Sequence, residues 1–193
     1  MQTILLIVFY LIKLYASVVL LRFFMQYFRV DFYNPFAQTI VQLTNPTLKP
    51  LRRVIPGYKG LDIASLVLAF LLTTVMLSLA FNLWGLFTLT NLPKLAIIFV
   101  LQFFYTLLNL FFYLLIGRII VSFIMMAAGS YQANPFASML VQLTQPFMTP
   151  FQRIIPPIGM LDLSPILVFL LIRLTQEGLQ YVASYIFPGL GLL

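Results

Sequence analysis

The sequence predicts an all-α membrane protein: four transmembrane helices as two parallel helix-loop-helix repeats, with short interfacial amphipathic helices in the loops. Three observations carry this. Of the 193 residues, 62% are hydrophobic and 8% charged, with a mean hydropathy of +1.05, against about 25% charged in globular domains. So few polar residues cannot cover the surface of a soluble core. Four stretches are apolar over the roughly 20 residues needed to cross about 30 Å of hydrocarbon, and the segment 34–62 recurs without a gap at 134–162.

The first span runs from Ile4 to Phe24. It has no basic segment ahead of it and carries Lys13 midway, so it reads as a retained helix and not a cleaved signal peptide. The second runs from Leu61 to Phe87. The third, Leu95 to Ala128 with its core over 95–124, is longer than one crossing requires and predicts tilt or projection beyond the bilayer. The fourth runs from Ser164 to Phe187. With four spans, the loops 30–60 and 129–163 share one side, and both termini share the other with the turn 88–94. Arg22, Arg29, Lys49, Arg52, Arg53, Lys59, Arg118 and Arg153 gather on the loop side, against Lys94 on the other. Such asymmetry places the long loops in the cytoplasm and both termini outside.

The residue inventory excludes most chemistry. Cysteine and histidine are absent, which removes disulfides, thiol nucleophiles, ordinary zinc sites and the usual general base at neutral pH. The acids are Asp31, Asp62, Asp162 and Glu177, too few for a multi-carboxylate metal cage. No catalytic, cofactor-binding or metal residues are expected, and the chain reads as a non-enzyme. The net charge of +7 does not point to nucleic acid, because basic residues in a lipid-soluble chain set orientation and meet anionic head groups.

Fifteen of the 29 positions in 34–62 are identical to those 100 residues later, which defines two modules, 1–90 and 91–193. Two spans per module return the chain to its starting side, so the copies run parallel, related by an axis along the membrane normal. Upstream of Asn34 the offset becomes 96, matching Arg22 to Arg118 and Lys13 to Asn109. The second module thus carries four extra residues before its loop, about one helical turn.

Within the loops, Asn34-Pro35 and Asn134-Pro135 have the form of an N-cap followed by proline at the first helical position. They open a short helix through Thr44 or Thr144, whose apolar face (Phe36, Ile40, Leu43 and their copies) suits the membrane surface. Pro46, Pro50 and Pro56, with Pro146, Pro150 and Pro156, then argue against one long helix. Arg52, Arg53 and Arg153 fit anionic lipid phosphate first and a protein partner second. Asp62 and Asp162 stand at the mouths of spans, where an acid caps free N–H groups or pairs with Arg53 and Arg153. A proton-sharing pair, as in an intramembrane aspartic protease, is the weaker alternative.

Lys13, Arg173 and Glu177 fall near the middle of spans, where an unpaired charge costs from about 2.5 kcal/mol upward. They are expected to face the protein interior, with Arg173 and Glu177, four apart on one helix, neutralising each other. Asn109 is the repeat partner of Lys13, and Thr74, Ser78 and Asn82 form a stripe on the second span. Together these predict a polar seam between modules, read first as hydrogen-bonded packing and second as a path for a small ion or solute.

The loop motifs Asn-Pro-Phe, Leu-Thr-x-Pro, Pro-x-x-Arg-x-Ile-Pro and Leu-Asp-Leu-Ser-Pro resemble those of the YggT/YlmG family of bacterial and plastid membrane proteins. The resemblance covers nearly the whole chain. The second copy ends Leu161-Asp162-Leu163-Ser164-Pro165, close to the family pattern, whereas the first lacks the final Ser-Pro, and Gln152 stands where the first loop has Arg52. The resemblance implies a multi-pass protein of the bacterial inner membrane. It also implies roles linked to haem-attachment maturation and nucleoid or division organisation in plastids, and to cell shape, division and osmotic or salt tolerance in bacteria. It brings no catalytic residues. With no His or Cys ligand, a haem-related role would mean holding other proteins. The expected function is therefore a non-enzymatic scaffold or assembly factor, the alternative being a small-ion or small-solute pathway. The expected partners are lipids and other membrane proteins, further copies of the chain included.

Overall fold

The structure, a computed structural model, describes residues 2–58, 60–81, 83, 88, 91–127, 134–154, 164–188 and 192. Among these described residues six helices follow one another: α1 (Gln2–Tyr27), α2 (Pro35–Val54), α3 (Ile63–Ala80), α4 (Leu92–Ala127), α5 (Pro135–Ile154) and α6 (Ser164–Ile186). Of these, α1, α3, α4 and α6 are long and apolar enough to cross a membrane. Helices answer the bilayer's demand that every backbone donor and acceptor be satisfied within its own segment. The described residues contain no strand beyond one isolated bridge between Tyr58 and Leu61.

Within the first module α1 packs on α3, within the second α4 packs on α6, and α4 also touches α1 and α3. One buried cluster joins both modules, with Leu20 and Phe24 of α1, Ala69 of α3, Phe111 and Leu115 of α4, Leu143 and Met148 of α5, and Val168 and Ile172 of α6. A second lies towards the other ends of the spans, around Leu77, Leu95, Ile98 and Ala183. The outward faces stay apolar, as Leu11 and Leu14 on α1 and Leu170, Leu171 and Leu174 on α6 are all exposed. That is the pattern of helices whose surroundings are hydrocarbon.

The four-residue difference between modules is absorbed in a helix. α1 runs five residues past Arg22 to Tyr27, whereas α4 runs nine past Arg118 to Ala127. The 36-residue α4 is about 54 Å long, more than one crossing needs. The second span is shorter than expected: α3 closes at Ala80, with the amide of Phe81 donating to the Leu77 carbonyl at 3.1 Å. Asn82 lies outside the described residues.

The loop helices correct the expectation of short segments. α2 and α5 each hold 20 residues and continue through Pro46 and Pro50, and through Pro146 and Pro150. Each proline removes one i→i−4 bond, here those to the carbonyls of residues 42 and 46 or their copies. The four-residue spacing puts both prolines on one face, and all four are exposed. The carbonyls they orphan therefore lie towards the exposed face, which water or head groups can reach.

These helices lean along their spans as well. The Tyr15 hydroxyl and Thr47 Oγ1 lie 2.5 Å apart. At the equivalent positions Phe111 and Phe147 pack with ring centroids 4.1 Å apart. Each contact lies seven residues, or about 10 Å, further along the span than the arginines Arg22 and Arg118.

Two turns set the loop geometry. α1 ends in a Schellman motif, with Val30 N–H donating to the Met25 carbonyl (2.9 Å) and Arg29 N–H to that of Gln26 (3.2 Å). Arg29 accordingly takes a left-handed φ of 54°, a place usually held by glycine. After α2, Tyr58 and Leu61 exchange backbone bonds of 3.1 and 2.9 Å around Gly60, whose φ is 83°. A Cβ on Gly57 would stand 2.9 Å from the Leu61 carbonyl oxygen, so the close approach that sets up α3 requires glycine there.

Candidate functional site

The repeated loops assemble into one construction at a shared end of the bundle. Each first span sends an arginine into its own loop helix. Arg22, 6% exposed, donates from Nη1 to Thr44 Oγ1 at 2.6 Å and to the Val41 carbonyl at 3.0 Å. Arg118 donates to Thr144 Oγ1 at 2.9 Å and to Gln145 Oε1 at 3.1 Å. Both threonines are fully buried and pass their own protons to the carbonyl four residues back, Ile40 and Leu140, each at 2.7 Å. That leaves the hydroxyl lone pairs facing the guanidinium. This is the role of the threonine in Leu-Thr-x-Pro, and the sequence reading did not find it. The signal was available: Arg22 and Arg118 match at offset 96 and Thr44 and Thr144 at offset 100, but nothing in the spacing shows that the two series touch.

The loop helices also meet each other. Asn34 caps α2, its Oδ1 accepting from Phe36 N–H at 2.9 Å, and its Nδ2 donates to the Pro135 carbonyl at the start of α5 at 2.5 Å. Asn134 caps α5 in the same way, accepting from Phe136 N–H at 2.9 Å. The Phe36 and Phe136 rings lie 5.0 Å apart between centroids, and Asp31 N–H donates to Gln142 Oε1 at 3.0 Å. Of these contacts the Phe36–Phe136 pair joins the same motif position of the two copies.

Asp62 is 4% exposed at the N-cap of α3. Its carboxylate accepts from Ser65 Oγ and from Ser65 N–H (3.4 Å), and it is bridged by both the Nε (3.2 Å) and Nη2 of Arg52. The expected ion-pair partner was Arg53. The structure instead selects Arg52, because one helical step turns Arg53 outward, where it is exposed. Burial alone would raise the Asp62 pKa, but the bonds from Arg52 and Ser65 outweigh it and hold the group below its ordinary value. Gln152, in place of Arg52, accepts from Gln145 Nε2 at 3.0 Å. Pro56 and Arg153 are exposed, while Pro156 and Asp162 lie outside the described residues.

Within the spans the polar residues separate into two sets. Asn109 Oδ1 accepts from Gln176 Nε2 at 3.0 Å, joining α4 to α6, and Gln176 is 2% exposed. Thr73, Ser78, Gln102 and Thr106 are likewise buried. Gln176, Gln102 and Thr106 were not anticipated. Arg173 and Glu177, expected to face inward and to neutralise each other, are both exposed on α6. The apolar edge of α6, carrying Val168, Ile172, Gln176 and Ala183, takes the interior instead. Arg173 stacks 4.2 Å above the Phe112 ring and reaches Gln176 at 3.5 Å. Lys13 is half-buried beside a groove between α1 and α4.

The comparisons fit this architecture. The CCB3/YggT family model matches residues 1–83 and 97–183, one segment in each module. An uncharacterized protein of Pseudomonas aeruginosa is 43% identical over 162 residues, spanning 84% of this chain and 80% of the relative. The uncharacterized protein YggT of Escherichia coli K12 is 36% identical over 183 residues, spanning 93% and 92%. No solved structure matches. With two spans and one anchored loop helix recurring in each matched segment, the chain belongs to the CCB3/YggT family.

Proposed function

We propose that the chain is a non-enzymatic scaffold of the bacterial inner membrane, in which α2 and α5 form one cytoplasmic platform that gathers membrane-protein partners against anionic lipid. The observation that supports this most is the double anchoring of the loop helices. Each is fastened to its own span through an arginine–threonine bond, and the two are fastened to each other through Asn34 and the Phe36–Phe136 contact. A surface already ordered loses little entropy when a partner binds. Arg53 and Arg153 stand exposed on it in equivalent positions, free to engage carboxylate or phosphate. A role in osmotic or salt tolerance would follow from the envelope complex held there.

Photocrosslinking in cells from positions 53 and 153, followed by mass spectrometry, tests the proposal. The expected result is a defined membrane protein recovered from both positions; recovery of lipid alone defeats it. A second reading, a path for a small solute, is supported by the Thr74 hydroxyl, which is buried without a hydrogen-bond partner among the described residues. Solute or ion flux in proteoliposomes that does not exceed that of empty vesicles, for wild type and Thr74→Val alike, removes this reading.

A further inference from the structure

Two charges of opposite sign stand near the middle of their spans with no ion-pair partner among the described residues. Lys13 borders a groove of about 620 Å³ that Tyr10 and Ser17 of α1 and Leu110 and Tyr113 of α4 also line. The Ser17 hydroxyl takes the Lys13 backbone carbonyl (2.9 Å). Among the described residues no acid reaches the ammonium, the ion pair there being the Arg52–Asp62 bridge. On α6 Glu177 is exposed, and the nearest cation along its helix, Arg173, is turned onto Phe112 and Gln176. Hydrocarbon around either charge is strongly unfavourable.

Lys13 and Glu177 lie at one depth. Lys13 precedes Arg22 by nine residues, as Asn109 precedes Arg118, and both arginines grip the equivalent threonine. Asn109 is bonded to Gln176, the neighbour of Glu177. Measured from the loop-side helix ends, Lys13 is about 21 Å from Tyr27 and Glu177 about 20 Å from Ser164 at 1.5 Å per residue. A phospholipid head group does not reach that depth. Tyr113, in the wall of the Lys13 groove, stands one helical step from Phe112, beneath Arg173, so α1 and α6 meet α4 on sides about 100° apart. The helices α1 and α6 therefore flank one exposed strip of α4, on which Tyr113 is 61% exposed.

We propose that a second copy of the chain covers this face, related by a two-fold axis along the membrane normal, with Glu177 of each copy entering the Lys13 groove of the other. A two-fold rotation exchanges the flanks, so a face with a cation on one side and an acid on the other is complementary to itself. Two such ion pairs close the dimer, each charge neutralised once by its counterpart in the other copy.

The sequence contains no cysteine, so Lys13→Cys and Glu177→Cys, placed singly in differently tagged full-length chains, each introduce a lone thiol. Mixed in vesicles of phosphatidylethanolamine and phosphatidylglycerol, these two variants keep one of the two ion pairs intact. A bifunctional maleimide, which spans the gap that a lysine–glutamate pair leaves between its Cβ atoms and that the about 4 Å reach of a disulfide does not, is expected to link them about tenfold more efficiently than two Val75→Cys chains. Val75 is the control because it is exposed on α3 at similar depth. Lys13→Glu or Glu177→Lys alone is expected to abolish the dimer seen by single-molecule photobleaching, and the two together to restore it. Folding of the double variant where a single one fails also supports the pairing. Equal linking at Val75, a ladder of larger species, crosslinks in cells only to a different protein, or no rescue by charge exchange overturns it.

Discussion

Arg22 carries five N–H donors into a site with 6% exposure, so each acceptor it finds there counts. Hydrogen bonds to a charged group contribute about 1.5–3 kcal/mol each, and a buried donor left bare costs its desolvation. Thr44→Val keeps the shape and removes one acceptor, and is expected to lower unfolding stability in detergent by about 2 kcal/mol. Thr144→Val is expected to cost less, because Arg118 is less buried and keeps Gln145; parallel unfolding titrations of the two variants check the order. Asp62 gives the pH dependence. Its folded pKa lies below its ordinary value, so its contribution is present above the ordinary carboxylate range and is lost as pH falls through the depressed folded value. Asp62→Asn, which can still cap α3, is expected to destabilise the protein at neutral pH and to flatten the acid limb of a stability–pH curve. An unchanged acid limb would show that the Arg52 bridge contributes nothing. The acid's capping role was legible from its position before an apolar run, but the choice of Arg52 over Arg53 was not, because it depends on which side of α2 faces α3.

At the level of elements, the spans were legible because hydropathy alone specifies them, and the helices differ from that reading mainly where α3 stops at Ala80. The loop helices were half legible. Asn34-Pro35 fixed the start of α2, but the prolines at 46 and 50 argued for an early end. They are tolerated because they sit on the outer face, and no local rule says which face of an isolated helix will be outer. The turn after α1 carries a different expectation. Arg29 holds a left-handed conformation that costs a non-glycine residue roughly 1–2 kcal/mol, and its side chain is exposed. Arg29→Gly is therefore expected to raise stability by about 1 kcal/mol, measured as a higher thermal midpoint in the same detergent. A lower midpoint would mean that the arginine makes a contact worth more than the strain.

For the whole molecule, the repeat made the parallel arrangement readable, whereas the contacts across the modules were invisible because they join residues about 100 apart. Asn34 to Pro135 and Asp31 to Gln142 are of that kind. If the two modules are folding units, chains 1–90 and 91–193 expressed together are expected to co-purify and to recover the Asn34-dependent contact, with Asn34→Ala weakening the association about three- to tenfold for a loss of about 1 kcal/mol. Halves that purify separately would argue for one indivisible unit. The arginine–threonine anchor also bears on how the chain is made. Arg22 emerges from the ribosome 22 residues ahead of Thr44, so for that interval the first helix has a guanidinium whose acceptor has not been synthesised. Its favourable release into lipid then waits for the loop helix, which makes α1 and α2 a single step of insertion, repeated with Arg118 and Thr144 over an interval of 26 residues.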